Sequence, residues 1–114
     1  MAENRYLLRL REGKQVETVK GIFRTTMVYN DQIMLCHFTM KKGAIVPLHN
    51  HVAAQNGYVL KGKVKFLRKE GEDFIVETGD GYLFDSEEYH GAEVLEDSEV
   101  IECFTPMRPE YLDS

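Results

Sequence analysis

The sequence predicts an all-β fold, a sandwich or barrel of short strands, and two observations lead to this prediction. Hydrophobic residues recur with a period of two, and the short apolar segments are rich in Val, Ile, Phe, Tyr and Thr. Turn-forming sequences such as Asn-Asp, Lys-Lys-Gly, Glu-Gly-Glu-Asp, Thr-Gly-Asp-Gly and Glu-Asp-Ser separate these segments. At 114 residues the chain is long enough for one domain with a single core.

The predicted strands follow one another along most of the chain. In order they are residues 22–29, 32–38, 58–61, 63–68, 74–77, 82–84 and 100–104, with a Lys-Gly turn between the third and fourth. The acidic runs at residues 85–88 and 93–99 are expected to be solvated loops. The tail from residue 106, interrupted by Pro109, is expected to be irregular or to form a short helical piece.

Composition narrows the classes of partner and compartment. A net charge of -5 without a basic stripe argues against binding to nucleic acid. The N-terminal segment scatters charge through its apolar residues, so we expect no signal peptide, no membrane partner and a cytoplasmic location. Cys36 and Cys103 lie in predicted strands without a CxxC pairing, and we expect two reduced, buried thiols. A disulfide between neighbouring strands stays open.

Two of the four histidines, His49 and His51, stand two residues apart. On an extended segment, residues i and i+2 point to the same face, so both imidazoles can project into one barrel interior while Asn50 points away. Two imidazoles are a start for a divalent transition ion, but they are not a complete site. His37 belongs to no such group and is expected to be structural, or at most to line a pocket.

A wider pattern surrounds these histidines. It reads Gly43, five residues, His49, one residue, His51, three residues, Gln55, six residues, Gly62. This spacing resembles the first motif of the cupin superfamily, which normally has glutamate at the position of Gln55. The glycines are expected at turns, where a side chain would be costly.

A second pattern begins at another expected turn, Gly79, and runs to His90. It resembles the second cupin motif, whose histidine completes the metal site. The chain departs from that motif where Asp85 replaces the usual proline, Glu87 the usual glycine and Val94 the usual asparagine. These positions shape a turn and a strand exit and do not bind metal in the family.

The cupin resemblance covers roughly residues 20–105 of a single domain, residues 1–114, and implies a double-stranded β-helix, or jelly-roll barrel. It also implies one divalent transition metal ion (Ni, Zn, Mn or Fe) with four ligands, His49, His51, Gln55 and His90. Neutral imidazoles and a neutral amide leave the ion its full charge, which strengthens a Lewis acid and disfavours oxidation of the metal. Gln55 therefore favours nonredox chemistry, although three-histidine iron sites can also activate oxygen.

The segment that follows the last predicted turn carries further polar groups. Glu102 and Phe104 share one face of a strand, and Arg108 has the geometry to bind a carboxylate through two hydrogen bonds. If that face lines the interior, these residues suit binding and proton transfer on a small carboxylate-bearing molecule. If it faces outward, Glu102 is an exposed strand residue and Arg108 a salt-bridging tail residue.

Gln55 and this terminal pattern together resemble the KdgF family, small single-domain cupins of pectin and alginate catabolism that convert unsaturated monouronates to linear keto sugars. The resemblance implies catalysis by Glu102 and Arg108, and substrate binding by Phe104 and Arg108. The family has aspartate at the position of Glu102, so the carboxylate here stands one methylene further out. A small-molecule substrate and a homodimer are also implied. A metal-dependent (Fe) dioxygenase and a non-catalytic cupin that binds a small molecule stay open as alternatives.

Overall fold

The computed structural model describes residues 5–112, which form antiparallel strands and two short 3-10 turns. The strands are β1 Gln15–Val19, β2 Ile22–Tyr29, β3 Met34–Met40, β4 Ile45–His49, β5 Ala54–Arg68, β6 Phe74–Glu77, β7 Gly81–Phe84 and β8 His90–Thr105. The 3-10 turns are Leu10–Glu12 and Pro109–Tyr111. No helix in this part of the chain has the length and apolar character needed to cross a membrane.

All the strands belong to one antiparallel sheet, in the order β1-β2-β3-β8-β5-β6, with β4 also paired to β8 and β7 also paired to β5. The two longest strands, β5 and β8, pair from Ala54 opposite Thr105 to Arg68 opposite His90. Because each of them has more than two partners, the sheet branches and encloses a core. The predicted all-β jelly-roll barrel is confirmed.

Several predicted strands coincide with observed ones. The predictions at residues 22–29 and 74–77 match β2 and β6, and those at 32–38 and 82–84 match β3 and β7 to within two residues at either end. β1 and β4 occupy segments for which no strand is predicted. Both are short and lack fully buried side chains, so their sequences carry little of the apolar alternation that marks a strand.

The predicted turn at Gly62 is wrong, because β5 continues through it as a single strand. Gly62 has a φ of +100°, and the pairing of β5 with β8 shifts register on both sides of it. A Cβ atom at this position would lie 2.1 Å from Ser98 Oγ. The glycine therefore allows a β-bulge and close contact with β8 without reversing the chain. Gly43 and Gly79 do lie at turns and have positive φ angles.

The acidic run at residues 93–99 is also not a loop, since it lies within β8. Its side chains alternate: Val94 and Ser98 are buried, whereas Glu93 and Glu96 are exposed. Glu96 lies 3.6 Å from the Lys63 ammonium of β5. The charges thus occupy the outer face of a long strand, where lysines of the neighbouring strand face them.

The alternation of inward-facing and outward-facing side chains along a strand also decides whether each cysteine is buried. Cys36 is fully buried on the inner face of β3, and Cys103 is exposed on the outer face of β8; both are free thiols. The expectation that both are buried is wrong for Cys103, because its neighbours Glu102 and Phe104 take the inner face.

The C-terminal tail folds back onto the barrel after β8, as a short 3-10 turn of the kind expected. Thr26 Oγ1 of β2 donates a hydrogen bond to the Tyr111 carbonyl over 2.7 Å. The Tyr111 ring packs edge-on against Phe104 and Phe38, with centroids 5.5 and 6.4 Å away. These contacts fix the tail over one end of the core.

Candidate metal centre and substrate cavity

Three histidines from two distant parts of the chain meet inside the barrel. His49 ends β4, His51 follows it by two residues, and His90 begins β8, where it pairs directly with His49. One ring nitrogen from each of the three lies within 4.8 Å of the others. The predicted convergence of the imidazoles is confirmed, although His51 lies just beyond the strand that was expected to carry both members of the pair.

The tautomer of each ring follows from its hydrogen bond. Nδ1 of His49 lies 2.9 Å from the Pro47 carbonyl, Nδ1 of His51 2.7 Å from that of Ala53, and Nδ1 of His90 2.8 Å from that of Glu88. A carbonyl oxygen only accepts, so each Nδ1 carries the proton and each Nε2 keeps its lone pair. Carbonyls that orient imidazoles in this way are typical of metal sites.

The electrostatics of the cluster also favour neutral rings. Burial lowers the pKa of His90 to about 4 and also lowers the pKa of His51. The Nε2 atom of His51 is buried and has no hydrogen-bond partner. A buried nitrogen without a partner costs free energy unless a ligand meets it. The donor set and this unpartnered atom both fit a divalent transition ion.

Phe84 of β7 stacks on the face of the His90 ring. The two rings stack with centroids 4.3 Å apart and planes 8° from parallel. Sequence analysis missed this role, because Phe84 looks like any apolar residue of a predicted strand. The sign that could have identified it is its place in the second motif, between Gly79 and His90.

Gln55, the fourth predicted ligand, is buried in β5 and lines the cavity beside the cluster. Its Nε2 donates to Oε2 of Glu102 over 3.0 Å. Its contact with His51 favours the protonated ring and opposes the lowering of the His51 pKa, although burial is the larger effect. Because the amide nitrogen donates to Glu102, the amide oxygen is the atom that could bind a metal, and it makes no hydrogen bond to Nε2 of His51.

Glu102 lies on the inner face of β8 and is almost fully buried. Besides the bond from Gln55, its Oε2 accepts a 2.5 Å hydrogen bond from the Tyr82 hydroxyl. Burial raises the pKa of Glu102 to about 7, against the opposing effects of those two donors and of Arg108. A carboxyl with a pKa near neutrality can both accept and release a proton at neutral pH. The alternative in which Glu102 is an exposed strand residue is thereby ruled out.

Arg108 reaches the same interior from the tail. Its guanidinium carbon lies 4.1 Å from the centre of the Tyr111 ring and 5.2 Å from that of Phe104. The side chain is 12% exposed, and its ion pair with the exposed Glu110 is long, 3.5 Å. The buried Arg24 also lies over the Tyr111 ring, 4.3 Å from its centre. Tyr111 thus contacts two guanidinium groups, and sequence analysis missed the contact with Arg24.

These groups surround a cavity of about 390 Å³ inside the barrel. Its lining includes two of the clustered histidines and the four other predicted site residues: His49, His90, Gln55, Glu102, Phe104 and Arg108. A wider groove of about 600 Å³ opens beside Tyr58, Leu83 and Cys103 and reaches Tyr82 and Glu102, and no histidine lines it. His37 faces away from the inner cavity and lies 3.6 Å from Glu99, which agrees with a structural role. The inner cavity therefore has the size and polar groups of a small-molecule site.

The turn before His90 explains one departure from the second motif. Glu87, at the position of the usual glycine, has a φ of +65°. The Glu87 N–H donates to the His51 carbonyl over 2.8 Å, and the Asn50 side chain donates to the Glu87 carbonyl over 3.3 Å. The turn that the family builds with glycine is kept here with a residue that the left-handed conformation disfavours.

Comparison with known proteins identifies relatives of this chain among the cupins. A cupin domain model matches residues 36–104. The chain is 36% identical over 94 residues to the pectin degradation protein KdgF of Dickeya dadantii (strain 3937), across 81% of this chain and 84% of that protein. It superposes on KdgF from Halomonas sp. with a TM-score of 0.85 and 30% identity, covering 93% of this chain and 97% of the other. An RmlC-like cupin from Shewanella frigidimarina shares the fold, with a TM-score of 0.87, 21% identity and coverages of 94% and 96%.

Proposed function

This chain belongs to the cupin family, and within it to the KdgF family; on this basis we propose that it is a metal-dependent enzyme that converts 4,5-unsaturated uronates to linear keto sugars. The observation that carries the proposal is that a histidine cluster, a buried carboxyl and a guanidinium surround one cavity. The Dickeya relative is named for pectin degradation, and pectin is built from uronate sugars. Each of the three groups has a counterpart in the chemistry of such a substrate.

The metal would be held by His49, His51, His90 and the Gln55 amide oxygen. Because all four ligands are neutral, a divalent ion (Ni, Zn, Mn or Fe) held there would act as a strong Lewis acid toward an oxygen of the sugar. The chain itself supplies three oriented imidazoles, and carbonyl groups fix their Nε2 lone pairs. The amide completes the set without adding charge.

Arg108 of the tail and Phe104 of β8 would bind the substrate. Arg108 is mostly buried and stacked on aromatic rings, so its guanidinium is fixed before a ligand arrives. A carboxylate is the group that a guanidinium recognises best, through two parallel hydrogen bonds. Phe104 and Tyr111 line the same cavity and give the sugar an apolar wall. We therefore assign carboxylate binding to Arg108 and substrate binding to Phe104.

Glu102 would carry the proton. In the cyclic unsaturated uronate, the hydroxyl at C1 loses its proton, the bond from C1 to the ring oxygen breaks, and the aldehyde and the enol at C5 form. A proton added at C4, with loss of the enol proton, then gives the C5 ketone. The product is an isomer of the substrate, so no electrons are exchanged and no redox cofactor is consumed. Glu102, with its pKa near 7, is suited to accept and return protons in these steps.

The test combines metal analysis of the purified protein with the loss of ultraviolet absorbance of unsaturated galacturonate. We expect about one divalent ion per chain and faster loss of the enol chromophore than in buffer. Glu102→Gln should keep the metal and lose most of the acceleration, since an amide cannot exchange protons near neutrality. Turnover of Glu102→Gln at the wild-type rate would remove Glu102 from the mechanism.

Two further results would replace the proposal with one of its alternatives. Oxygen consumption with thiol or polyphenol substrates, measured at an oxygen electrode, would indicate an iron dioxygenase. A rise in Tm with uronate but no turnover would indicate a non-catalytic binding protein. The homodimer implied by the resemblance stays a prediction, which sedimentation velocity can test.

A further inference from the structure

Tyr82 stands behind the carboxyl of Glu102 and takes no part in lining the inner cavity. The residue lies in β7, is 7% exposed and packs on Phe66 with ring centroids 4.4 Å apart. Its hydroxyl lies 2.5 Å from Oε2 of Glu102, the distance of a strong hydrogen bond to a carboxylate. Burial raises the pKa of Tyr82 well above its ordinary value, so the hydroxyl keeps its proton and donates.

Gly57 makes this contact possible. It lies on β5 directly opposite Tyr82 on one side and Glu102 on the other. A Cβ atom at Gly57 would lie 2.2 Å from Cζ and 2.3 Å from the hydroxyl oxygen of Tyr82. Because the obstacle is the rigid ring, any side chain at this position would displace Tyr82. The glycine is therefore explained by the space that the tyrosine needs.

The two donors to Glu102 select one of its oxygens. Tyr82 and Gln55 both donate to Oε2, and among the described residues no hydrogen bond ends on Oε1. Glu102 lines the cavity, so Oε1 is left as the oxygen that can meet a ligand there. A carboxylate with one oxygen bound twice has lost the freedom to rotate about its terminal bond.

We propose that Tyr82 is a positioning residue: seated in the space left by Gly57, it binds Oε2 of Glu102 and thereby presents Oε1 to the substrate. This proposal rests on the proposed function, in which Glu102 transfers the proton. Proton transfer depends steeply on the distance and angle of the reacting atoms, so a carboxyl that can rotate spends less time in the reactive position. Tyr82 itself does not line the inner cavity in which the substrate would bind.

The test is Tyr82→Phe, which keeps the ring and removes the donor. We expect kcat to fall roughly tenfold, as for loss of one hydrogen bond to a charged group, with KM and metal content unchanged. Tyr58→Phe, which removes the hydroxyl of an exposed tyrosine on β5, is the matched control and should keep wild-type kcat. Gly57→Ala should reproduce the loss, because it displaces the same ring. A wild-type kcat in Tyr82→Phe would overturn the proposal.

A second measurement separates failure of this proposal from failure of the proposed function. Thermal unfolding of Tyr82→Phe, Glu102→Gln and the double variant requires no substrate. If the two side chains are coupled as described, the Tm changes of the single variants will not add up in the double variant. Additive changes would overturn the positioning role even in an active enzyme. Non-additive changes in a protein that turns over no uronate would leave the contact standing and reject the proposed function.

Discussion

Gln55 donates a hydrogen bond to Glu102 through its amide nitrogen and lines the same cavity as His49 and His90. An amide has a donor and an acceptor on one planar group, so it can serve both neighbours at once. A glutamate in this position could offer oxygen to a metal but would place a second carboxyl against Glu102. The glutamine in the first motif is thus explained by its neighbour as well as by the charge of a metal.

Gln55→Glu tests this relationship. We expect the variant to retain metal and to lose activity by at least about tenfold. Two carboxyls in contact share a proton between them, so Glu102 can no longer transfer that proton to the substrate. The measurements are kcat on unsaturated galacturonate and metal content. Gln55→Ala is the control that removes both the ligand and the donor without adding a carboxyl. Full turnover by a fully loaded Gln55→Glu protein would contradict the explanation.

The raised pKa of Glu102 predicts how stability depends on pH in metal-free protein. Its pKa rises from 4.5 to about 7 on folding, so the fold favours the protonated carboxyl. The resulting stabilisation is complete below about pH 4.5 and is lost as the pH rises through about 7. Relative to Glu102→Gln, the wild-type free energy of unfolding should fall on the order of 3 kcal/mol across this range. Urea unfolding at several pH values measures the difference, and an unchanged difference would contradict the assignment.

The part of the site that sequence could predict is the part that local spacing encodes. His49, His51, Gln55 and His90 stand at fixed separations in two motifs, and the structure brings the three imidazoles together with the amide beside them. Glu102, Phe104 and Arg108 could be grouped because strand alternation puts the first two on one face. Whether that face is the inner one depends on how β8 pairs with its neighbours, which alternation alone does not determine.

The supporting residues could not be predicted, because they depend on register between strands far apart in the chain. Tyr82 meets Glu102 only because β5 pairs with β7 on one side and β8 on the other. Arg24 reaches Tyr111 only because the tail returns across the sheet. The lengths of β5 and β8 were underestimated for a related reason: Gly62 and the acidic run at residues 93–99 carry local turn signals that cross-strand pairing overrides.

Metal retention should follow the protonation of the histidines. Burial lowers the pKa of His90 to about 4 and also lowers that of His51, so both rings stay neutral below their usual value of 6.5. At His90, protons therefore compete with the metal nearer pH 4 than pH 6.5. Dialysis at a series of pH values followed by elemental analysis measures the release. Loss of most metal above pH 6, or full loading at pH 3, would contradict the ligand set. The control is His37→Gln, which should release metal at the same pH as the wild type, because His37 is not in the cluster.

The left-handed backbone of Glu87 predicts a stabilising substitution. A φ of +65° costs free energy in a residue with a Cβ, such as Glu87. Glycine adopts this conformation freely but loses more entropy on folding. The balance favours Glu87→Gly by roughly 0.5–1 kcal/mol in the free energy of unfolding. Glu87→Ala keeps the Cβ and removes the carboxylate, so it separates backbone strain from charge. Equal stability of the two variants would show that strain is not the cause.

The contact between the Arg108 guanidinium and the Tyr111 ring predicts that Tyr111 affects substrate affinity. Tyr111→Leu removes the ring face on which the Arg108 guanidinium rests, a contact worth about 1 kcal/mol when partly buried. A guanidinium free to move binds a carboxylate less well, so KM should rise several-fold while kcat changes less. Tyr111→Phe keeps the ring, and the Thr26 bond uses only the backbone carbonyl, so this variant should retain the wild-type KM. Steady-state kinetics distinguishes the two, and an equal rise in KM for both would place the effect in the hydroxyl and not in the stack.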